Sequence, residues 1–206
     1  MNITAGVNVS NCLVCKSPDR DVPLNKRYSY KIIISDYRGE RIVSVSPEIP
    51  VNIISNLCAD MKERSFEEIL QSEVLHKTGY RLNIMYRMVL RGNKIPESNI
   101  TTALRAEYLS DYYKYVIREK EEIISYCKVS NIDYNYGNIV VWTHENYRRK
   151  GFAKELLLQT LSMCEKVGIQ PLYLVKSENT ASLELAKSVG FRAVQTEIIA
   201  CKEIDL

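Results

Sequence analysis

From Thr143 to Ala153 the chain reads Thr-His-Glu-Asn-Tyr-Arg-Arg-Lys-Gly-Phe-Ala, and most of the chemistry this sequence can offer lies there. Arg148, Arg149 and Lys150 place three cations in a row, followed by Gly151, Phe152 and the small Ala153. A helix that starts here presents backbone N–H groups with no partner inside the helix, and its dipole puts partial positive charge at the same end. Such an end seats phosphate. Gly151 lets the backbone approach an anion with no side chain in the way. The same letters also fit an ordinary solvated helix start, so the surroundings must decide. His144 and Glu145 stand just before the cations, where either can act as a general base directly or through one water. Each is equally at home as a surface residue or a loop cap. Further along, Asn179 and Ser182 have the spacing of a helix cap, which is their simplest role.

The elements around these residues follow from periodicity. Residues 138–143 are an apolar strand, and Ala153, Leu156, Leu157, Thr160, Leu161, Cys164 and Val167 mark one face of a helix that Gly168 ends. Residues 171–175 then form a buried strand, 182–189 a second amphipathic helix, and 191–201 a last strand. The phosphate seat thus falls between a strand and a helix.

Upstream, residues 112–118 and 122–130 predict a hairpin around Glu119-Lys120-Glu121, and 31–35 with 41–46 predict another. Helices are expected over 51–61 and, from the capping box Ser65-Phe66-Glu67-Glu68, over 66–76, with Gly79 as a stop. Residues 81–90 alternate as a strand with one buried face, built on Leu82, Ile84, Tyr86, Met88 and Leu90. A turn cluster and Pro96 place a boundary near residue 95, followed by a short helix over about 99–110. Residues 1–27 show no clear period and are expected to meander.

Set on those elements, Arg148-x-x-Gly151-x-Ala153 resembles the [Q/R]-x-x-G-x-[G/A] motif of the GNAT superfamily of N-acetyltransferases. Asn179 through Gly190-Phe191 resembles the family's ending, in which Asn begins a helix and Gly-Phe ends it. Both stand in family order, separated by a helix and a strand, and the likeness covers roughly residues 112–201. It implies an α/β fold: a GNAT-like mixed, mostly antiparallel sheet flanked by helices, with an N-terminal α/β extension. Residues 96–206 would be the acyl-CoA-binding core, and residues 1–95 would complete or flank it.

The resemblance implies an N-acetyltransferase that moves an acetyl, or other acyl, group from acyl-coenzyme A to an amine by direct attack. Acetyl-CoA or another acyl-CoA is the co-substrate, and the acceptor is a small-molecule or peptide amine. Residues 148–153 (Arg148, Arg149, Lys150, Gly151, Phe152 and Ala153) would hold the pyrophosphate. Val141 and Thr143 would pair their backbone with the pantetheine arm in a gap between two splayed strands. Asn179 and Ser182 would lie toward the sulfur. His144 and Glu145 remain the candidate bases. One departure stands out: the family's usual tyrosine acid, seven residues after the Asn, is Ala186 here. A non-catalytic acyl-CoA binding or sensing module is therefore the alternative.

Composition narrows the remaining classes. At 206 residues, 46% hydrophobic and 26% charged, the chain has the balance of an ordinary globular protein. Its apolar runs are far shorter than the roughly 20 residues a bilayer requires, and its start lacks the pattern of a secretory signal, so no membrane association and a cytoplasmic location are expected. The net charge of +3, with basic and acidic residues intermixed, indicates no nucleic-acid surface. Six cysteines mostly inside apolar periodic segments predict free buried thiols. Cys12 and Cys15 form a C-x-x-C without a second pair, read as two thiols in an N-terminal loop and not as a metal site.

Overall fold

The computed structural model describes residues 6–9, 12–23, 27–37, 39–90, 106–109 and 113–203. They contain strands β1 (Val7–Val9), β2 (Cys12–Lys16), β3 (Tyr28–Tyr37), β4 (Glu40–Val45), β5 (Arg81–Leu90), β6 (Ala106–Leu109), β7 (Lys114–Glu119), β8 (Glu122–Asp133), β9 (Tyr136–Thr143), β10 (Gln170–Lys176) and β11 (Phe191–Glu203). The helices are α1 (Val51–Asp60), α2 (Phe66–Leu70), α3 (Glu73–His76), α4 (Phe152–Val167) and α5 (Thr180–Ser188). The chain divides into two compact units, one of Met1–Tyr86 with Gln195–Leu206 and one of Arg87–Val194. Each carries a mixed, mostly antiparallel sheet with helices, so the fold is α/β as the resemblance implies. The expected boundary near residue 95 lies outside the described residues.

In the first unit the strands run in the order β1-β2-β4-β3-β11. Strand β2 lies parallel to β4, whereas β3 is antiparallel to both β4 and β11. Ile32, Ile34, Val43, Val45, Ile198 and Ala200 are buried from the sheet, and Ile54, Leu57, Cys58, Ile69 and Leu75 from the helices complete the core. One cation is buried as well. Lys31 Nζ reaches Asp21 at 2.5 Å and Glu48 at 3.2 Å, and the Ser46 hydroxyl donates to the same Asp21 oxygen at 2.6 Å.

Several expectations for this region need correction. Residues 7–9 and 12–16 are strands and do not meander, because β2 draws its order from parallel pairing with β4, a long-range partner no local pattern reveals. Cys12 and Cys15 therefore lie three apart on a strand, pointing to opposite faces, and not in a loop. The helix expected over 66–76 is two helices: Ser65 closes the capping box on α2, and Ser72 restarts the chain by accepting from the Leu75 N–H. In β5, Met85 and Met88 are buried although they lie on opposite faces, so the alternation does not mark a half-solvated strand. Part of the helix expected over 99–110 is strand β6, drawn out by antiparallel pairing with β7; residues 99–105 and 110 lie outside the described residues.

In the second unit the order is β10-β9-β8-β7-β6, antiparallel throughout except for the parallel pair β10 and β9. Helix α4 packs across β7, β8, β9 and β10. Its buried Leu156, Leu157, Thr160, Leu161 and Cys164 fall on the face that periodicity predicts. Gly168 ends the helix at φ +73°, a left-handed cap that costs glycine little. No helix among the described residues is long and apolar enough to cross a membrane.

Candidate active site

Strand β9 has different neighbours along its length. On one side it pairs with β8 from Tyr136 through Thr143. On the other, parallel pairing with β10 is confined to Gln170↔Tyr136, Pro171↔Gly137 and Leu172↔Asn138. Beyond that rung both strands continue, β9 to Thr143 and β10 to Lys176, without further pairing between them. The two strands splay.

Which backbone groups face the opening follows from the ladder. The His144 N–H donates to the Ile124 carbonyl at 2.8 Å. Antiparallel pairs alternate between bonded and non-bonded positions. Trp142 and Val140 therefore bond toward β8, and the N–H and C=O groups of Val141 and Thr143 point to the β10 side. The Thr143 carbonyl accepts from Arg148 Nε at 3.3 Å, which closes the turn from strand to helix. Thr143 is also held through its side chain: Oγ1 lies 2.8 Å from Oγ of the fully buried Ser125, which reaches the Trp142 carbonyl at 3.0 Å as well.

The opening ends at the start of α4. Gly151 is the N-cap at φ +86°, with no side-chain cap bond on the helix, and Arg149 shares the left-handed conformation at φ +62°. The first-turn N–H groups of Phe152, Ala153 and Lys154 thus stay uncapped, and the Gly151 carbonyl accepts only from Glu155 N–H, at 3.1 Å. Buried Phe152 anchors the helix start, while Arg148, Arg149 and Lys150 are exposed around it. Lys150 Nζ rests 4.8 Å over the Tyr147 ring, and the Tyr147 hydroxyl is bonded to Glu119, which raises the phenol's pKa.

The candidate bases occupy a single 3-10 turn, Glu145–Tyr147, that His144 caps. His144 Nδ1 accepts from the Asn146 N–H at 3.3 Å, and the ring meets Trp142 and Tyr147 edge-on at 6.2 and 5.8 Å. A neutral imidazole that accepts at Nδ1 carries its proton on Nε2, so in this arrangement His144 offers a donor there. Glu145 is exposed.

Asn179 caps α5 by accepting from the Ser182 N–H at 3.2 Å. Ser182 carries a second bond that the sequence did not suggest: its Oγ lies 2.9 Å from the hydroxyl of Tyr173 on β10. Tyr173 is buried, and its ring meets that of Phe191 at a tilt, 5.4 Å between centroids. Burial raises its pKa, against the opposing effect of the Ser182 bond. Ala186, one turn after Ser182, is fully buried. Ser125 and Asn138, whose Oδ1 is buried without a partner, are the site residues that sequence reasoning missed. The only signal was a polar letter inside an apolar strand.

A family described as GNAT acetyltransferase matches residues 96–198, half of the chain. This chain belongs to the GNAT acetyltransferase family. Among solved structures, this GNAT acetyltransferase is similar to a GCN5-related N-acetyltransferase from Sphaerobacter thermophilus at 12% identity, with 99% of this chain and 77% of that chain covered and a TM-score of 0.54. A GCN5-related N-acetyltransferase-like protein from Streptococcus suis matches at 15% identity over 65% of this chain and 69% of its own, with a TM-score of 0.47. A Salmonella typhimurium protein solved with its cofactor acetyl-CoA matches at 18% identity over 45% and 65%, with a TM-score of 0.36. A comparison with curated proteins gave no match.

Proposed function

We propose that this chain transfers the acetyl, or another acyl, group of an acyl-coenzyme A directly to a small-molecule or peptide amine. The observation that carries the reading is the splay between β9 and β10, which turns the backbone of Val141 and Thr143 toward an opening that runs to the uncapped start of α4. A diphosphate needs N–H donors and positive charge; the first turn of α4 with Arg148, Arg149 and Lys150 supplies both. An extended amide-bearing arm needs strand-like donors and acceptors, and Val141 and Thr143 supply them. Gly151, Phe152 and Ala153 set the backbone of the cradle, while Asn179 and Ser182 stand across the opening on α5.

The acceptor amine must lose a proton to attack the thioester carbon. Glu145 can take it through water, whereas His144 can do so at Nδ1 only after giving up the Asn146 cap. The oxyanion that develops is stabilised by backbone N–H groups at the end of β9. Burial pushes the Cys127 thiol up to about 12 and the Cys164 thiol up to about 11, so neither is the thiolate that an acyl-enzyme would need.

The test couples calorimetry with acetyl-CoA to thiol release over a panel of small amines and peptides with free N-termini. Binding with amine-dependent thiol release supports transfer. The absence of Tyr at position 186 keeps a second reading in play, a binding or sensing module, and tight binding with no thiol release across the panel would select it.

A further inference from the structure

The transfer reaction leaves one proton unassigned. As the amine nitrogen bonds to the thioester carbon and the C–S bond breaks, the electron pair goes to sulfur, and the thiolate must be protonated to leave as thiol. Position 186, one turn beyond Ser182 on the same helical face, is a buried methyl. What stands near it is the pair Tyr173 and Ser182.

Three observations select that pair. First, Tyr173 directly follows Leu172, the last residue of β10 paired with β9. An arm that runs from the α4 start along Thr143 and Val141 reaches this rung after a further three residues of strand, about 10 Å. Second, among the tyrosines near the site, Tyr173 alone has its hydroxyl on α5: Tyr147 is bonded to Glu119, Tyr126 stacks on Trp142 and has Lys114 over its ring, and Tyr134 and Tyr136 are exposed. Third, the bond joins a buried hydroxyl to a half-buried one, so it has an inner end shielded from water and an outer end within reach of a ligand.

On the basis of the transferase reading above, we infer that Ser182, backed by Tyr173, delivers the proton to the departing coenzyme A sulfur. Ser182 Oγ–H gives its proton to the thiolate, and the Tyr173 hydroxyl refills Ser182 along the 2.9 Å bond. The proton is then returned to Tyr173 through Ser182, whose half-buried hydroxyl takes one from solvent, and solvent receives the one released by the acceptor nitrogen, so the sum is balanced. Tyr173 is then a positioning residue that acts through Ser182.

The experiment titrates the thiol of bound coenzyme A by its ultraviolet thiolate absorbance, with the ligand-free protein subtracted, in the wild type, Tyr173→Phe and Ser182→Ala. It needs no acceptor and no turnover. A hydroxyl that donates to sulfur favours the thiolate, so the wild type should hold the bound thiol more acidic than free coenzyme A. Ser182→Ala should raise its pKa by about one unit, a tenfold shift of the equilibrium, and Tyr173→Phe should raise it in the same direction by less. In Tyr173→Phe, which removes no group that touches the ligand, coenzyme A affinity below the thiol pKa should stay within about twofold, which a merely structural role for the pair would not combine with an altered titration. An unchanged titration in folded variants that bind coenzyme A overturns the assignment while leaving the transferase reading intact. Failure of the folded wild type to bind coenzyme A overturns both. Should Ser182→Ala misfold, Ser182→Cys keeps a donor of similar size, and Tyr173→Phe alone still decides.

Discussion

Asn138 and Leu172 form the last rung between β9 and β10, and one residue before it Gly137 lies against Val129 so closely that an added Cβ would stand 2.3 Å from Val129 Cγ1. The end of the paired segment is thus tightly packed while the segment beyond it is open. Gly137→Ala should cost about 1–3 kcal/mol through overpacking, since Ile169 also stands 3.1 Å from the added atom. Thermal denaturation checks this, and a variant as stable as the wild type would show that β9 can shift on β10.

Gly151→Glu should abolish acetyl-CoA binding with the fold retained. The position is left-handed at φ +86°, so any side chain is strained there, and a carboxylate would bring negative charge to the uncapped N–H groups of α4. Calorimetry and circular dichroism decide together: a folded variant with wild-type affinity would remove the cradle from the account.

The ion pair between buried Lys31 and half-buried Asp21 makes stability depend on pH. Burial alone would raise the Asp21 pKa, but hydrogen bonds from Lys31 and Ser46 outweigh it and hold the carboxyl below 3.8. A depressed acid contributes stability that is present above its unfolded value and is lost as pH falls through the folded one. Lys31 is the reverse: burial lowers its pKa, its bonds to Asp21 and Glu48 raise it above 10.5, and its contribution fades only as pH rises past that value. Asp21→Asn should therefore cost about 2 kcal/mol at neutral pH in urea denaturation. The difference from wild type should shrink below about pH 4. A difference that holds constant with pH would mean Asp21 acts through packing alone.

The sequence made the second unit far more legible than the first. Helix α4 declared itself through Leu156, Leu157, Leu161 and Cys164, because one helical face buried against one sheet imposes a period that a single segment can show. Strand β2 could not, since its order depends on β4, some thirty residues away. The loop around Gly151 was readable because a glycine after three cations and before a helix is a local pattern. The Tyr173–Ser182 bond was not, as it joins a strand residue to a helix residue whose approach only packing determines. The break between α2 and α3 at Ser72 was hidden by the opposite cause: Leu75 continues the apolar spacing across it.

Amide hydrogen exchange, resolved by residue with and without acetyl-CoA, tests the central claim most directly, because the splay assigns neighbouring amides of one strand to different partners. Val140 and Trp142, bonded to β8, should be protected in both states. Val141 and Thr143, with Phe152 and Ala153 at the start of α4, should exchange freely in the unliganded protein and slow by about tenfold or more when acetyl-CoA is bound, as each gains a partner. Saturating acetyl-CoA that leaves Val141 and Thr143 exchanging as before, or that protects only residues away from β9 and α4, would contradict the account.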